Sequence, residues 1–375
     1  MRSGPGPAEA GVPEALPEPI ARNKLSVQGD GEGELVVGRM NDVVVTDYHT
    51  AGEPFRIVTA GVPDILGSTV LERRQFAQGS ADVDAVRRLL VNEPRGHADM
   101  YGGFVVPGND EGADFGVLFW HKDGYSTACG HGTIALGAWA VRTGRVEAVD
   151  DGDTDVVIDV PSGRVTARVT CAGSEVERVS FRNVASYVIA RDVKVTTSRG
   201  AVSADISYGG ALYASVRASA VELSVAPDHY HDLIAIGREI KWALNETPWA
   251  HHPSDSRLDG IYGTILFDDL DQSQDGPHQR NVTVFADGEV DRSPCGSGTS
   301  ARLALLADEG RLAAGQSLRH DSIVGTTFLG RVVEHVGIEG RAAVITEVEG
   351  VAFQTGTATF SLDPRDPLGT GFTLR

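Results

Sequence analysis

Two cysteines, Cys129 and Cys295, stand at the same place in two copies of one short pattern. CGHGTIALGAWA, from Cys129 to Ala140, and CGSGTSARLALL, from Cys295 to Leu306, agree at six of twelve positions: Cys, Gly, Gly, Thr and two Ala. Each thiol precedes a Gly-rich turn that opens into a helical run, amphipathic in the second copy. The first turn of a helix has unpaired backbone amides and carries about half a positive charge, so it favours a thiolate over a thiol of ordinary pKa about 8.5. On these grounds the sequence predicts that both thiols are acidified. The same amides form a carboxylate site. Two such helix starts facing each other would hold one carboxylate between them, with a sulfur on each side of the carbon that bears it. One thiolate would remove the α-hydrogen while the opposite thiol delivers another, which inverts the stereocentre.

These motifs occur with HTAGEPFRIV at 49–58, EPRGHADMYGG at 93–103 and GYSTACGHGTIALG at 124–137. Together they resemble the proline racemase family, which holds proline racemases, 4-hydroxyproline epimerases and trans-3-hydroxy-L-proline dehydratases. The resemblance runs from about Val43 to the C-terminus. It implies an α+β fold like that of diaminopimelate epimerase, with two pseudo-symmetric α/β halves, each a curved sheet around a central helix, and the active site in the cleft between. The internal repeat is independent support for two halves. We place the first at 40–187 with 344–375 returning to it, and the second at 188–343.

By matched position, the resemblance makes Cys129 and Cys295 the acid/base pair and gives His131 and Asp291 contacts to the substrate's ring nitrogen. The amides of Gly130, His131, Gly296 and Ser297 are placed to take the carboxylate. Glu53, Arg56, Arg95, His97 and Asp99 lie in family-like motifs and are expected to shape the cleft. The resemblance implies no cofactor and no metal, a small-molecule substrate (proline or a hydroxyproline), and a homodimer.

Substrate and outcome are less defined. The flanks EPRGHADMYGG, GYSTACGHG and FADGEVDRSP look closest to the branch holding the dehydratases and some proline racemases. In the dehydratases the second cysteine is typically threonine, whereas this chain has Cys295. Ala128 also departs from the methionine common before the first cysteine. Two-base isomerisation is therefore favoured, with free proline as first substrate and 4-hydroxyproline as second. The enzyme alternative is trans-3-hydroxy-L-proline dehydration, and the non-enzyme alternative is a catalytically silent amino-acid-binding protein.

Other residues invite other chemistry. GSGTSA at 296–301 fits a dinucleotide-binding turn but follows Asp-Arg-Ser-Pro-Cys where an apolar strand is needed. His229 with His231, and His251 with His252, sit in polar segments without a compact set of further ligands. Cys171, inside the strand-like VTARVTC, reads as a buried small hydrophobe.

The elements that must position the two thiols can be read from periodicity. Helical spacing is clearest at 83–92, 131–143, 230–244 and 297–308. Strand-like runs include VVVTDY, FGVLFWH, DVVIDVPSGRVTARVTC with its Pro-Ser-Gly turn, GTILFDD, NVTVFAD and RAAVITEVEG. Residues 1–39, Pro-rich and with GDGEGE, read as a disordered leader. With 33 basic against 52 acidic side chains, a net charge of −19 argues against nucleic acid or an anionic membrane as partner. Three cysteines at unpatterned spacing predict a reducing, cytoplasmic setting.

Overall fold

The computed structural model describes residues 42–271 and 274–374. The expected leader lies outside them.

Five α-helices are present among the described residues: α1 (Val70–Gly79), α2 (Ala81–Val91), α3 (Gly130–Arg142), α4 (Tyr230–Asn245) and α5 (Gly296–Asp308). Four fall within two residues of the runs expected from periodicity. The fifth, α1, has a weak apolar face, but Thr69-x-x-Glu72 is a capping-box signature, and both of its reciprocal hydrogen bonds form. No helix of the described residues is long and apolar enough to cross a membrane.

The strands join in one hydrogen-bonded network wrapped around two central helices. Helix α3 packs among the strands Val43–Thr50, Glu53–Ala60, Gly163–Ala172, Glu175–Arg182 and Ala352–Phe360. Helix α5 packs among Tyr187–Thr197, Gly200–Tyr208, Leu212–Arg217, Thr327–Ile338 and Arg341–Gly350. Residues Gly130–Ala140 of α3 and Gly296–Leu306 of α5 are all buried, so neither helix has a solvent face over that length. The second run was expected to be amphipathic. Its one charged residue there, Arg302, is instead buried with its guanidinium 4.0 Å from the Phe267 ring centroid, an aromatic face that offsets part of the burial of charge. A helix surrounded on all sides must be apolar or small on all sides, which is why both copies are rich in Ala, Gly and Leu.

Arg341–Gly350 pairs antiparallel both with Thr327–Ile338 and with Glu175–Arg182, and so bridges the strands of the two helices. The expected boundary at 343/344 falls inside this bridging strand, and that at 187/188 falls at the first step of Tyr187–Thr197.

Candidate active site

The N-termini of α3 and α5 meet. A Cβ on Gly130 would lie 2.5 Å from Gly296 Cα, and one on Gly296 would lie 2.7 Å from Gly130 Cα. The glycine after each cysteine is thus required by the approach of two backbones. The next glycine of each copy has a different duty. A Cβ on Gly132 would come within 2.7 Å of Cys129 Sγ, and one on Gly298 within 2.9 Å of Cys295 Sγ. Cys-Gly-x-Gly therefore makes room first for the other helix and then for its own thiol.

Each sulfur is held at the head of its helix. Cys129 is the N-cap of α3, and its Sγ accepts the Gly132 amide at 3.2 Å. Cys295 heads α5 at φ +63°, a left-handed conformation costly for any side chain. It is locked there by Ser293 Oγ, which accepts the Cys295 amide at 3.0 Å, and its S–H points to Tyr213 Oη at 3.7 Å.

Burial decides the ionisation of both thiols. Cys129 is 4% exposed and Cys295 5%. Burial pushes Cys129 well above the ordinary thiol range; the Gly132 amide opposes this, and Asp291, then Cys295 and Glu53, add to the rise. Burial and then Asp291 likewise raise Cys295, opposed by the Gly298 amide and Tyr213. The expected acidification is therefore corrected. The helix amides lower the cost of a thiolate, but removing an anion from water costs more than they return.

Around the thiols stand the remaining expected residues. His131 Nδ1 lies 3.5 Å from Cys129 Sγ and 3.8 Å from Asp291 Oδ2. Burial keeps His131 below the ordinary imidazole pKa, although Asp291 opposes this. Asp291 Oδ1 accepts the Ser293 amide at 2.8 Å and its hydroxyl at 2.6 Å, so one serine orients both the carboxylate and the Cys295 backbone. Ser297 Oγ shares a hydrogen bond with Tyr213 at 2.7 Å.

The motif residues expected to shape the cleft divide into two groups. Ala51 and Gly52, both at positive φ, turn a tight hairpin that sets Thr50 opposite Glu53. Thr50 donates to the His131 carbonyl at 2.9 Å, and Glu53 accepts the Arg292 amide at 2.7 Å, so a single hairpin supports both thiol motifs. Glu53 is fully buried, and burial, then Asp291, hold its carboxyl well above the usual range. Asp99 accepts from the Val290 amide at 3.0 Å and pairs with Arg292 at 2.7 Å, and its own amide bonds to His97. Arg56 and Arg95 face away. Arg56 forms a two-pronged pair with Asp47 and donates to the Leu90 and Arg95 carbonyls, while Arg95 reaches Asp366 and Gly369.

Several groups escaped the sequence reading. Tyr101 shares hydrogen bonds with Ser126 and, at 3.0 Å, with Tyr262, and its ring lies edge-on to His131 at 5.1 Å between centroids. Phe55 and Phe285 pack on the same tyrosine. On the strand Glu289–Asp291, Glu289 lies two residues from Asp291, and its Oε1 is 3.5 Å from His121 Nδ1. His121, Asp123 and Glu289 offer ligand atoms within 4.8 Å of one another, the one such set of three among the described residues. Lys122 sits 3.5 Å from Asp123 and lowers the Glu289 pKa, which is raised overall by burial. Of the surface histidines, His229 bonds Ser224, His251 bonds Asp259 and His252 bonds Tyr187. Cys171 is buried in the core around α3.

Comparison with known proteins agrees with this geometry. The family model described as proline racemase matches residues 45–373. A trans-3-hydroxy-L-proline dehydratase of Burkholderia cenocepacia is 46% identical over 330 residues, covering 88% of this chain and 97% of the relative. A 3-hydroxyproline 2-epimerase of Burkholderia multivorans is similar to the same extent, at 46% over 330 residues. A crystal structure of a hydroxyproline epimerase from Agrobacterium vitis with bound trans-4-OH-L-proline is similar at a TM-score of 0.82 and 30% identity, over 89% of this chain and 96% of that one. With its model match spanning nearly all described residues and two thiol-headed helices meeting at their N-termini, the chain belongs to the proline racemase family.

Proposed function

We propose that this enzyme inverts the α-carbon of a hydroxyproline by a two-thiol acid/base mechanism without a cofactor. The observation that carries the reading is the meeting of two Cys-headed helix N-termini at Gly130 and Gly296. A ring carboxylate held by the amides of Gly130, His131, Gly296 and Ser297 would present its α-carbon between Cys129 and Cys295. One sulfur, as thiolate, takes the α-proton; the opposite thiol gives its proton to the other face, and the reverse direction exchanges the roles. Asp291, oriented by Ser293 and next to His131, would hold the ring ammonium.

Preference for a hydroxylated ring over free proline rests on the site's polarity. Tyr101, Ser126 and Tyr262 gather three hydroxyls next to His131, among the rings of Phe55 and Phe285, and a ring hydroxyl would find partners there. The relatives named above also act, by name, on hydroxyprolines. Dehydration of trans-3-hydroxy-L-proline is the second reading, favoured by the name of one relative. It begins with the same α-proton removal and then expels the 3-hydroxyl. Against it stands Cys295, a proton donor on the second face where the dehydratases of the family typically carry threonine.

Purified protein in deuterated water separates the two. Inversion of trans-3-hydroxy-L-proline, trans-4-hydroxy-L-proline or proline with deuterium at the product α-carbon is the expected result. Rapid pyrroline-2-carboxylate formation without inversion of any of the three would establish the dehydratase instead. A homodimer and a cytoplasmic location complete the proposal, the first from the family resemblance and the second from three unpaired cysteines. Sedimentation and cell fractionation test them.

A further inference from the structure

Basic side chains are outnumbered in this chain, and most described arginines have a carboxylate partner. Two cations lining one cavity do not. The cavity, about 450 Å³, is lined in part by Ser126 and Thr127, shortly before Cys129 in the chain, and by Tyr262, which bonds Tyr101. Lys241 lines it and is only 6% exposed. Its ammonium makes no hydrogen bond and no ion pair among the described residues; it rests 3.8 Å from the Trp242 ring centroid. Arg74 also lines the cavity, and among the described residues its guanidinium donates only to the Tyr125 and Arg257 carbonyls. The cavity's acidic groups are already engaged. Asp123 accepts the Asp287 amide, Asp259 holds His251, and Asp287 takes Arg238 and Trp242.

We infer that this cavity is a second binding site, specific for a small carboxylate, and that the ring amino acid docks there by its own carboxylate. An ammonium on a side chain this buried, open to water only at the cavity and with no carboxylate within ion-pair distance, is costly unless an anion joins it. Lys241 and Arg74 both line the cavity and supply that demand, and Trp242 and Tyr262 line it with them as apolar surface for a saturated ring. Burial lowers the Lys241 pKa to about 8, even though Asp287, Asp123 and Glu289 act to raise it from a distance. A bound carboxylate would restore the charge. The site is also linked to the thiol motifs, since Tyr262 lines the cavity and bonds Tyr101, whose ring lies edge-on to His131. The choice of occupant rests on the function proposed above; the existence of the site does not.

Trp242 is a built-in reporter. At constant ionic strength, wild-type protein is titrated with sodium acetate and with trans-3-hydroxy-L-proline while tryptophan fluorescence is followed, and Trp242→Phe identifies the signal. Saturable responses to both probes are expected, with the amino acid binding more tightly. Lys241→Gln should weaken both by about tenfold or more, and Lys241→Arg should retain them. No saturable Trp242 signal in the wild type, or an unchanged midpoint in Lys241→Gln, would overturn the site. Acetate binding as tightly as the amino acid would overturn the choice of occupant. If Lys241→Gln does not fold, the wild-type, Lys241→Arg and Trp242→Phe titrations still decide. The readout is binding, so an error in the assigned reaction leaves it unaffected.

Discussion

Gly130 and Gly296, 166 residues apart in the chain, are in backbone contact, each leaving no room for a Cβ on the other. This contact sets the separation of the two helix starts and hence of the two sulfurs. Gly130→Ala or Gly296→Ala should therefore force the helices apart, costing about 1–3 kcal/mol of stability and most of the activity. Gly79→Ala, at the end of α1 with nothing within 4 Å of its Cβ position, should leave the melting temperature level or slightly raised. Thermal melts and α-proton exchange assays check both. Equal activity in Gly130→Ala and wild type would contradict the role of the contact.

Both thiols are needed in the proposed reaction. Cys129→Ala and Cys295→Ala should each abolish inversion, because every direction uses one sulfur as base and the other as acid. Cys171→Ala should keep near-wild-type turnover, with at most about 1 kcal/mol lost from a small cavity in the core around α3. Chiral chromatography of the products reads the first pair, and chemical denaturation reads the last.

Since burial raises both thiol pKa values, the base is mostly protonated at neutral pH and gained as pH rises. Below the thiol pKa, kcat/KM should climb by up to about tenfold per pH unit. Iodoacetamide should modify the free enzyme slowly until above about pH 9, and pyrrole-2-carboxylate should protect it. Stability follows the same sign. Unfolded thiols ionise near pH 8.5 while the folded ones do not, so the stabilisation present below about pH 8.5 is lost as pH rises toward the folded pKa values. A bell centred below about pH 7 would mean that substrate-free burial is a poor guide to the working state.

Ser293 orients two groups at once, so its loss should affect binding and chemistry together. Ser293→Ala removes the hydroxyl that bonds Asp291 and the Cys295 amide, and Cys295 is then held less firmly at positive φ. We expect a lower kcat and a higher KM. Asp291→Asn should act mainly on KM, by about tenfold or more, through loss of the charge facing the ring ammonium. Steady-state kinetics separate the two patterns.

Much of the site was legible in the sequence because it is carried by a local pattern. Cys-Gly-x-Gly-Thr before a run dominated by small and apolar residues specifies a helix headed by a thiol, and its repetition specifies two of them. The helices followed from spacing for the same reason: backbone hydrogen bonds and 3.6-residue periodicity are local. Even α1 had a local signal in Thr69 and Glu72, outweighed in a reading of periodicity by its charged residues. What only the tertiary structure decided depends on contacts across long stretches of chain. Glu53 meets Arg292 at a separation of 239 residues, and Tyr101 meets Tyr262 at 161. No periodicity encodes such meetings. The ionisation of the thiols belongs to the same class, because a helix start favours an anion locally, whereas desolvation depends on everything packed above it. Lys241 carries that lesson furthest: on α4 it looks like one more surface lysine, and only the folded chain withdraws it from water and leaves its charge unpaired.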